Sequence, residues 1–318
     1  MSMPSQLKSF ESETFHTQNF IRNPRLATAL VAQSQIGPDD VVYEIGPGQG
    51  ILTAQLIQRC KQVVAIEKDP VLAAGLRLKF ADQPNLTIRT ADFLDYPLPG
   101  KPYKVLANIP FDITCAVVAR LAGAPNPPEQ AYLSMQKEAA EMFLGRPRES
   151  LRSVLLKPWF ELALVHRFDR QDFTPVPHVD VVWMCLCKRR PPLVSCADRQ
   201  SFRDFVVYAF TRPRTGGGTA WRPTLGSLLK EVFSWSQLKP VSRALSLDLE
   251  AGPSTVSFDQ WLGLYGYLKT VGSGCAVQAM AGSEQRLRRQ QARLKKVHRT
   301  RGKSLTTRSS ARPKGRRH

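Results

Sequence analysis

The sequence lacks any Cys-x-x-Cys pair, any apolar run of membrane-spanning length, any internal repeat and any abundance of acids. Each absence removes a class of function. The six cysteines, Cys60, Cys115, Cys185, Cys187, Cys196 and Cys275, are scattered, and the one close pair, Cys185 and Cys187, alternates along a strand. Neither a zinc site nor a dithiol redox pair is expected from that spacing, so no metal is predicted and the thiols read as buried or incidental in a reducing compartment. No stretch approaches the roughly 18 apolar residues of a membrane span, and the first residues have no apolar signal core. The expectation is a soluble, cytoplasmic protein that does not engage a membrane.

Acids number 26 against 45 Lys and Arg, a formal charge of +19, and the excess is unevenly placed. Residues 281–318 hold 14 Lys and Arg and a single acid, Glu284, so the first 280 residues carry only +6. Such a block points to a polyanionic partner, nucleic acid first, with a solubilising tail as the plainer alternative. A length of 318 residues with 42% hydrophobic content suits two domains and a tail. The patterning predicts a flexible leader at 1–15, an α/β domain at 16–190, a helical domain at 191–280 and a disordered basic tail at 281–318. Within that tail, 283–291 has enough helix-forming residues to extend the preceding helix.

The organising stretch is 41–67: an apolar strand, the turn Glu44, Ile45, Gly46, Pro47, Gly48, Gln49, Gly50, a helix, and a second apolar strand ending in Glu67. This is a βαβ unit for an adenosine-containing cofactor. Glycines at alternate positions differ from the G-x-G-x-x-G of dinucleotide sites. A wider turn containing Pro47, with Glu44 inside it, suits a cofactor without phosphates and with a cationic amine. Glu67, at a strand end, can accept from both ribose hydroxyls. A third strand at 86–91 ends at Asp92, which can accept from an exocyclic amine while Phe93 packs on a ring; a helix cap is the other reading of Asp92.

A second informative stretch is the strand 104–108 running into Ile109, Pro110 and Phe111. An aromatic amine is a weak nucleophile because its lone pair is delocalised. The Asn108 side-chain oxygen and the Ile109 carbonyl can both accept from such an amine and hold it in line with an electrophilic methyl. Pro110 stiffens the turn and brings no competing N–H. Phe111 offers a face for a base taken out of its helix. Phe173, between Asp172 and the Thr174, Pro175, Val176, Pro177 run, is either a second stacking face or a core residue. The strand at 180–188 is expected to pair antiparallel with the one before it. Beyond 191 the signals turn helical, at 198–210, 225–232, 236–245 and 258–269. The basic connector 211–223, with Trp221, either contacts a phosphate backbone or covers the sheet.

The succession Gln18, Asn19, Phe20, Ile21; the turn 44–50; Glu67; Asp92; Asn108 to Phe111; and Phe173 to Val179 closely resembles the Erm family over about residues 16–270. That family methylates N6 of one adenine in 23S ribosomal RNA. The resemblance implies S-adenosylmethionine as donor, a seven-stranded Rossmann-like class I methyltransferase domain, a smaller all-helical C-terminal domain, a monomer, and 23S rRNA as partner. It places Asn19, Ile21, Gly46, Gly48, Glu67, Asp92 and Asn108 around the cofactor. Asn108 and Ile109, stiffened by Pro110, would hold the amine, with Phe111 and Phe173 sandwiching the base and no metal involved. The sister KsgA-like small-subunit dimethyladenosine transferases usually read Gln-His-Phe and Asn-Leu-Pro-Tyr at two of these places, so Asn19 and Ile109 favour the Erm side. Phe111 departs from the commoner Tyr of both families. A KsgA-like 16S rRNA enzyme and a non-catalytic RNA-binding assembly factor are the alternatives. A DNA adenine methyltransferase, usually Asp/Asn-Pro-Pro-Tyr, is a weaker one.

Overall fold

The computed structural model describes residues 19–211, 224–272 and 274–293. Gln18, most of the connector with Trp221, and the chain from 294 onward lie outside the described residues. The chain divides between Leu193 and Val194 into two compact units.

In the first unit the strands are β1 (Phe20–Ile21), β2 (Val41–Ile45), β3 (Gln62–Glu67), β4 (Leu86–Thr90), β5 (Lys104–Asn108), β6 (Gln130–Gln136), β7 (Phe160–Arg167), β8 (Phe173–Thr174) and β9 (Val181–Lys188). The helices are α1 (Pro24–Gln33), α2 (Thr53–Leu56), α3 (Pro70–Lys79), α4 (Thr114–Gly123), α5 (Lys137–Leu144) and α6 (Leu151–Leu156). One seven-stranded sheet runs in the order β4-β3-β2-β5-β6-β9-β7. β4, β3, β2, β5 and β6 are parallel neighbours, and β9 pairs antiparallel with both β6 and β7. The inner strands are nearly continuous apolar runs because helices cover both faces of a parallel sheet. In β3, for example, Val63, Val64, Ala65 and Ile66 are all buried. The strand order reverses between β2 and β5, and ligands of such sheets sit outside the carboxyl ends at that reversal. α1 and α3 start in the same way: Asn23 and Asp69 accept main-chain N–H groups of the first turn, with proline at the first helical position.

Two local features differ from the sequence expectation. The helix after the glycine turn is a single turn, α2. And β1 and β8, two residues each, pair antiparallel with Phe20 opposite Thr174 and Ile21 opposite Phe173. This ribbon joins motifs about 150 residues apart. Two residues are too short a run to show a strand period.

The second unit is helical: α7 (Arg199–Thr211), α8 (Leu225–Leu229), α9 (Trp235–Ala244), α10 (Phe258–Val271) and α11 (Gly274–Met280), followed by a further helical stretch at 283–293. Its core is aromatic. Phe202 meets Tyr265 edge-on at 5.1 Å, and Phe205 meets Trp261 at 5.8 Å. The tail expected to be disordered over 281–318 is helical at 283–293, in line with the helix-forming residues noted at 283–291. The cause is tertiary. The Asp204 carboxylate on α7 accepts from the main-chain N–H of Gly282 (3.1 Å) and of Glu284 (2.9 Å), capping that helix from outside its own sequence. No helix of the described residues is long and apolar enough to cross a membrane.

Candidate active site at the carboxyl ends of the parallel strands

The turn between β2 and α2 has all three glycines in the left-handed region, with φ of +64°, +56° and +78° at Gly46, Gly48 and Gly50. Gly46 donates its N–H to the Ile66 carbonyl (3.0 Å), which locks the turn to β3. The glycines serve different ends. A Cβ on Gly50 would lie 2.6 Å from Leu76 and 2.7 Å from Phe80, and one on Gly48 would lie 2.6 Å from the Phe20 ring. A Cβ on Gly46 would face the Asn108 carbonyl oxygen at 3.8 Å. Gly46 therefore borders the end of β5, whereas Gly50 is a packing position against α3.

Two carboxylates lie beneath this turn. Glu67 is 1% exposed; one oxygen accepts from Gly48 N–H (3.0 Å) and the other from Asp69 N–H (2.9 Å). Each oxygen keeps a lone pair for a further donor. Glu44, equally buried, accepts the Thr53 hydroxyl on Oε2 at 2.7 Å, and its Oε1 has no partner. Burial pushes the Glu44 pKa up to about 8, against the Thr53 hydrogen bond. A buried polar atom without a partner is uncommon, and in a carboxyl protonated at neutral pH Oε1 can donate as well as accept. A hydroxyl- and ammonium-bearing ligand fits this set, whereas a diphosphate would meet two carboxyl groups.

Asp92 accepts from Leu94 N–H (2.9 Å) and pairs with Lys68 Nζ at 2.9 Å. The Lys68 hydrogen bond, then that of Leu94, lowers its pKa. Lys68 was not expected, since an exposed lysine next to Glu67 carries no signal of its own. Phe93 corrects its expected role. It is 4% exposed, with the Arg120 guanidinium over its ring at 5.9 Å, and presents no face to the cleft.

At the end of β5 the Asn108 amide is held at both ends. Nδ2 donates to the Asn19 carbonyl (2.8 Å), and Oδ1 accepts from the Ser134 hydroxyl (2.5 Å). Ser134 lies beside Asn108 in the β5–β6 register and is 1% exposed. Sequence reading missed it, because a lone serine in an apolar strand gives no sign of its cross-strand neighbour. Asn19 Nδ2 donates in turn to the Pro175 carbonyl (2.7 Å), so the 18–21, 108–111 and 173–177 motifs form one hydrogen-bonded chain. Ile109 is buried, and among the described residues no donor reaches its carbonyl oxygen. Pro110 leads into a 3-10 turn at Phe111–Ile113, and Phe111 lies half-buried against the core.

Phe173 is corrected as a stacking residue. It is fully buried and edge-on to Phe168 at 5.0 Å, because the β1–β8 pairing turns its ring inward with the Ile21 cluster. Ile21, Gly46 and Asn108 do converge, around a cavity of only about 10 Å³ that the Phe20 ring also lines. A far larger open depression, about 750 Å³, lies by Arg22, Asn23, Asp169 and Asp172. It is lined by neither the glycine turn nor Asn108, which both border the smaller cleft, so the smaller cleft is the candidate site. Among the described residues no three His, Cys, Asp or Glu side chains cluster as metal ligands.

The family profile described as ribosomal RNA adenine dimethylase matches residues 9–217. The chain belongs to that family. An rRNA adenine N-6-methyltransferase of Saccharopolyspora erythraea is 34% identical over 252 residues, which span 78% of this chain and 63% of that relative. A ribosomal RNA small subunit methyltransferase A of Synechococcus sp. is 32% identical, over 73% of this chain and 87% of the relative. The crystal structure of the 23S rRNA methyltransferase ErmE superposes with a TM-score of 0.70 at 32% identity, covering 79% of this chain and all of that one. The seven-stranded sheet and the helical second unit are thus the architecture of this methyltransferase family.

Proposed function

We propose that this family member methylates N6 of an adenine in 23S rRNA with S-adenosylmethionine as donor, in the cytoplasm and without a metal, and so blocks macrolide, lincosamide and streptogramin B binding to the ribosome. The observation that carries this is the Asn108 amide, clamped by Ser134 and Asn19 at the end of β5 beside a free Ile109 carbonyl. Two acceptors one residue apart suit a planar –NH2 group. The second lone pair of Asn108 Oδ1 and the Ile109 oxygen each take one N–H. They hold the nitrogen in a fixed direction and favour the pyramidal form in which its lone pair is available. Phe111 supplies the stacking face. The proton released on transfer passes to water.

When bound, S-adenosylmethionine supplies an electrophilic methyl carried on a sulfonium. Glu67 is the residue to hold its ribose, Asp92 its adenine amine, and the Gly46 side of the turn its amino-acid part, with Asn19 and Ile21 along the edge. Phe20 must leave Gly48 for the cleft to open, and Lys68 must yield one Asp92 oxygen.

The choice of 23S rRNA rests on Asn19, Ile109 and the likeness to ErmE. The likeness to the small-subunit methyltransferase A favours 16S rRNA as the second reading. Labelled S-adenosylmethionine offered to both purified RNAs, with mapping of the modified base, separates them: label is expected in 23S, and label confined to 16S would reverse the assignment. Asn108→Ala is expected to abolish transfer while cofactor affinity stays within a few-fold. Transfer at the parent rate by that variant would remove the mechanism.

A further inference from the structure

The single acid of the basic C-terminal block is buried. Glu284 is 6% exposed, and its carboxylate accepts from Arg203 on α7 through Nε (2.8 Å) and Nη2 (2.6 Å), and from Arg288 through Nε (3.1 Å) and Nη2 (2.6 Å). Burial alone would raise its pKa, but these guanidinium bonds and charges outweigh it and pull it to about 2. Asp204, beside Arg203, caps the same helix through the main-chain N–H groups of Gly282 and Glu284. Two adjacent residues of α7 thus grip the first turn of helix 283–293, one by its backbone and one by its side chain.

Past that grip the helix is exposed and cationic. Arg286 is turned back onto the Ala281 carbonyl and the Ser283 hydroxyl, and Arg288 is taken up by Glu284. Arg289 and Arg293 are exposed, and among the described residues their guanidinium groups have no partner. Four residues apart, they share one helix face. Ten further Lys and Arg follow in sequence between 294 and 318. A buried double anchor at the root of such a segment is unnecessary if bulk charge is all it contributes.

We propose that helix 283–293 is a fixed RNA-backbone-binding arm: Arg289 and Arg293 contact phosphates, and the Asp204 and Glu284–Arg203 anchor on α7 sets where the basic segment begins. The inference rests on the reading of RNA as substrate. Direction matters as well as charge. A contact held by an ordered helix loses less entropy on binding than one recruited from a free chain.

The charge-only account and the anchored arm make opposite predictions for Glu284→Ala. That change makes the protein more positive, so bulk attraction would tighten RNA binding, whereas loss of the anchor weakens it. The full chain would be titrated with deproteinised 23S rRNA between about 50 and 200 mM salt, where each phosphate contact contributes about 0.7 to 0.9 to the slope of log affinity against log salt. Glu284→Ala is expected to bind several-fold more weakly and to become protease-sensitive near 281–293; tighter binding would overturn the anchor. The surface double variant Arg289→Gln/Arg293→Gln, which leaves the anchor intact, is expected to reduce the slope by about 1.5. A slope equal to that of the parent overturns the arm whatever the labelling experiment shows. RNA binding by the parent without transfer of label would instead remove the proposed function and leave the arm standing.

Discussion

Asn108 is competent as an acceptor only if its amide cannot turn over, and Ser134 and Asn19 prevent that from opposite sides. Ser134→Ala removes the one side-chain donor to Oδ1 among the described residues. The amide is then held at its Nδ2 end alone, and turning over to present its NH2, a donor where an acceptor is needed, becomes easier. A net hydrogen-bond contribution of about 1 to 2 kcal/mol predicts a fall in kcat of about five- to thirty-fold, with KM for RNA little changed. An unaltered kcat in single-turnover assays would mean that Asn19 suffices. Glu44 gives a prediction in pH. Its pKa is 4.5 in the unfolded reference and about 8 when buried. Between those values the unfolded chain has lost a proton that the folded chain keeps, so stability falls as pH rises, by up to about 1.4 kcal/mol per pH unit. Glu44→Gln has no such proton. Its stability relative to the parent should therefore climb from pH 5 to pH 8 in urea titrations, and a pH-independent difference would contradict the shift. Asn108 and Glu67 were legible because each ends an apolar strand, and Glu44 because it stands in one just before the glycine turn. Ser134 and Lys68 were not, since their importance comes only from a neighbour on another element.

At the scale of elements, the long apolar strands and amphipathic helices were legible within one to four residues. Burial on a period, or continuous burial in β3 and β6, leaves a mark in the sequence. The β1–β8 ribbon left none, and its consequence is the inward turn of Phe173. The glycine turn shows how one motif mixes two purposes. Gly50→Ala places a methyl group against Leu76 and Phe80 at a positive φ. Strain and overpacking together are expected to cost about 2 kcal/mol or more. Gly46→Ala meets no atom closer than 3.8 Å, so its cost is the backbone strain of about 1 kcal/mol. Its main effect should fall on cofactor affinity. Chemical denaturation beside a calorimetric cofactor titration distinguishes the two, and equal stability losses would show that the turn has a single role.

At the scale of the whole molecule, the two units have separate cores, with Trp183 and Phe143 in one and Trp261 and Phe205 in the other. Trp261→Ala empties the second core at a cost of about 3 to 5 kcal/mol. It is expected to lower one unfolding transition while cofactor affinity, which the proposed site in the first unit would set, stays within about twofold. A parallel loss of cofactor binding would show that the two cores unfold as one.

The sequence by itself determined the class of sheet, the order of the motifs and the basic C-terminal block, and it proposed Asn108 and Ile109 as an acceptor pair. These depend on local pattern and on chemistry that few residue types can supply. Only the tertiary structure decided which neighbours hold those residues: Ser134 against Asn108, Lys68 against Asp92, Phe173 in the core, and Arg203 and Asp204 beneath helix 283–293. Each of these joins residues far apart in sequence or on different elements. Such contacts arise from packing, and no period or motif along the chain records them.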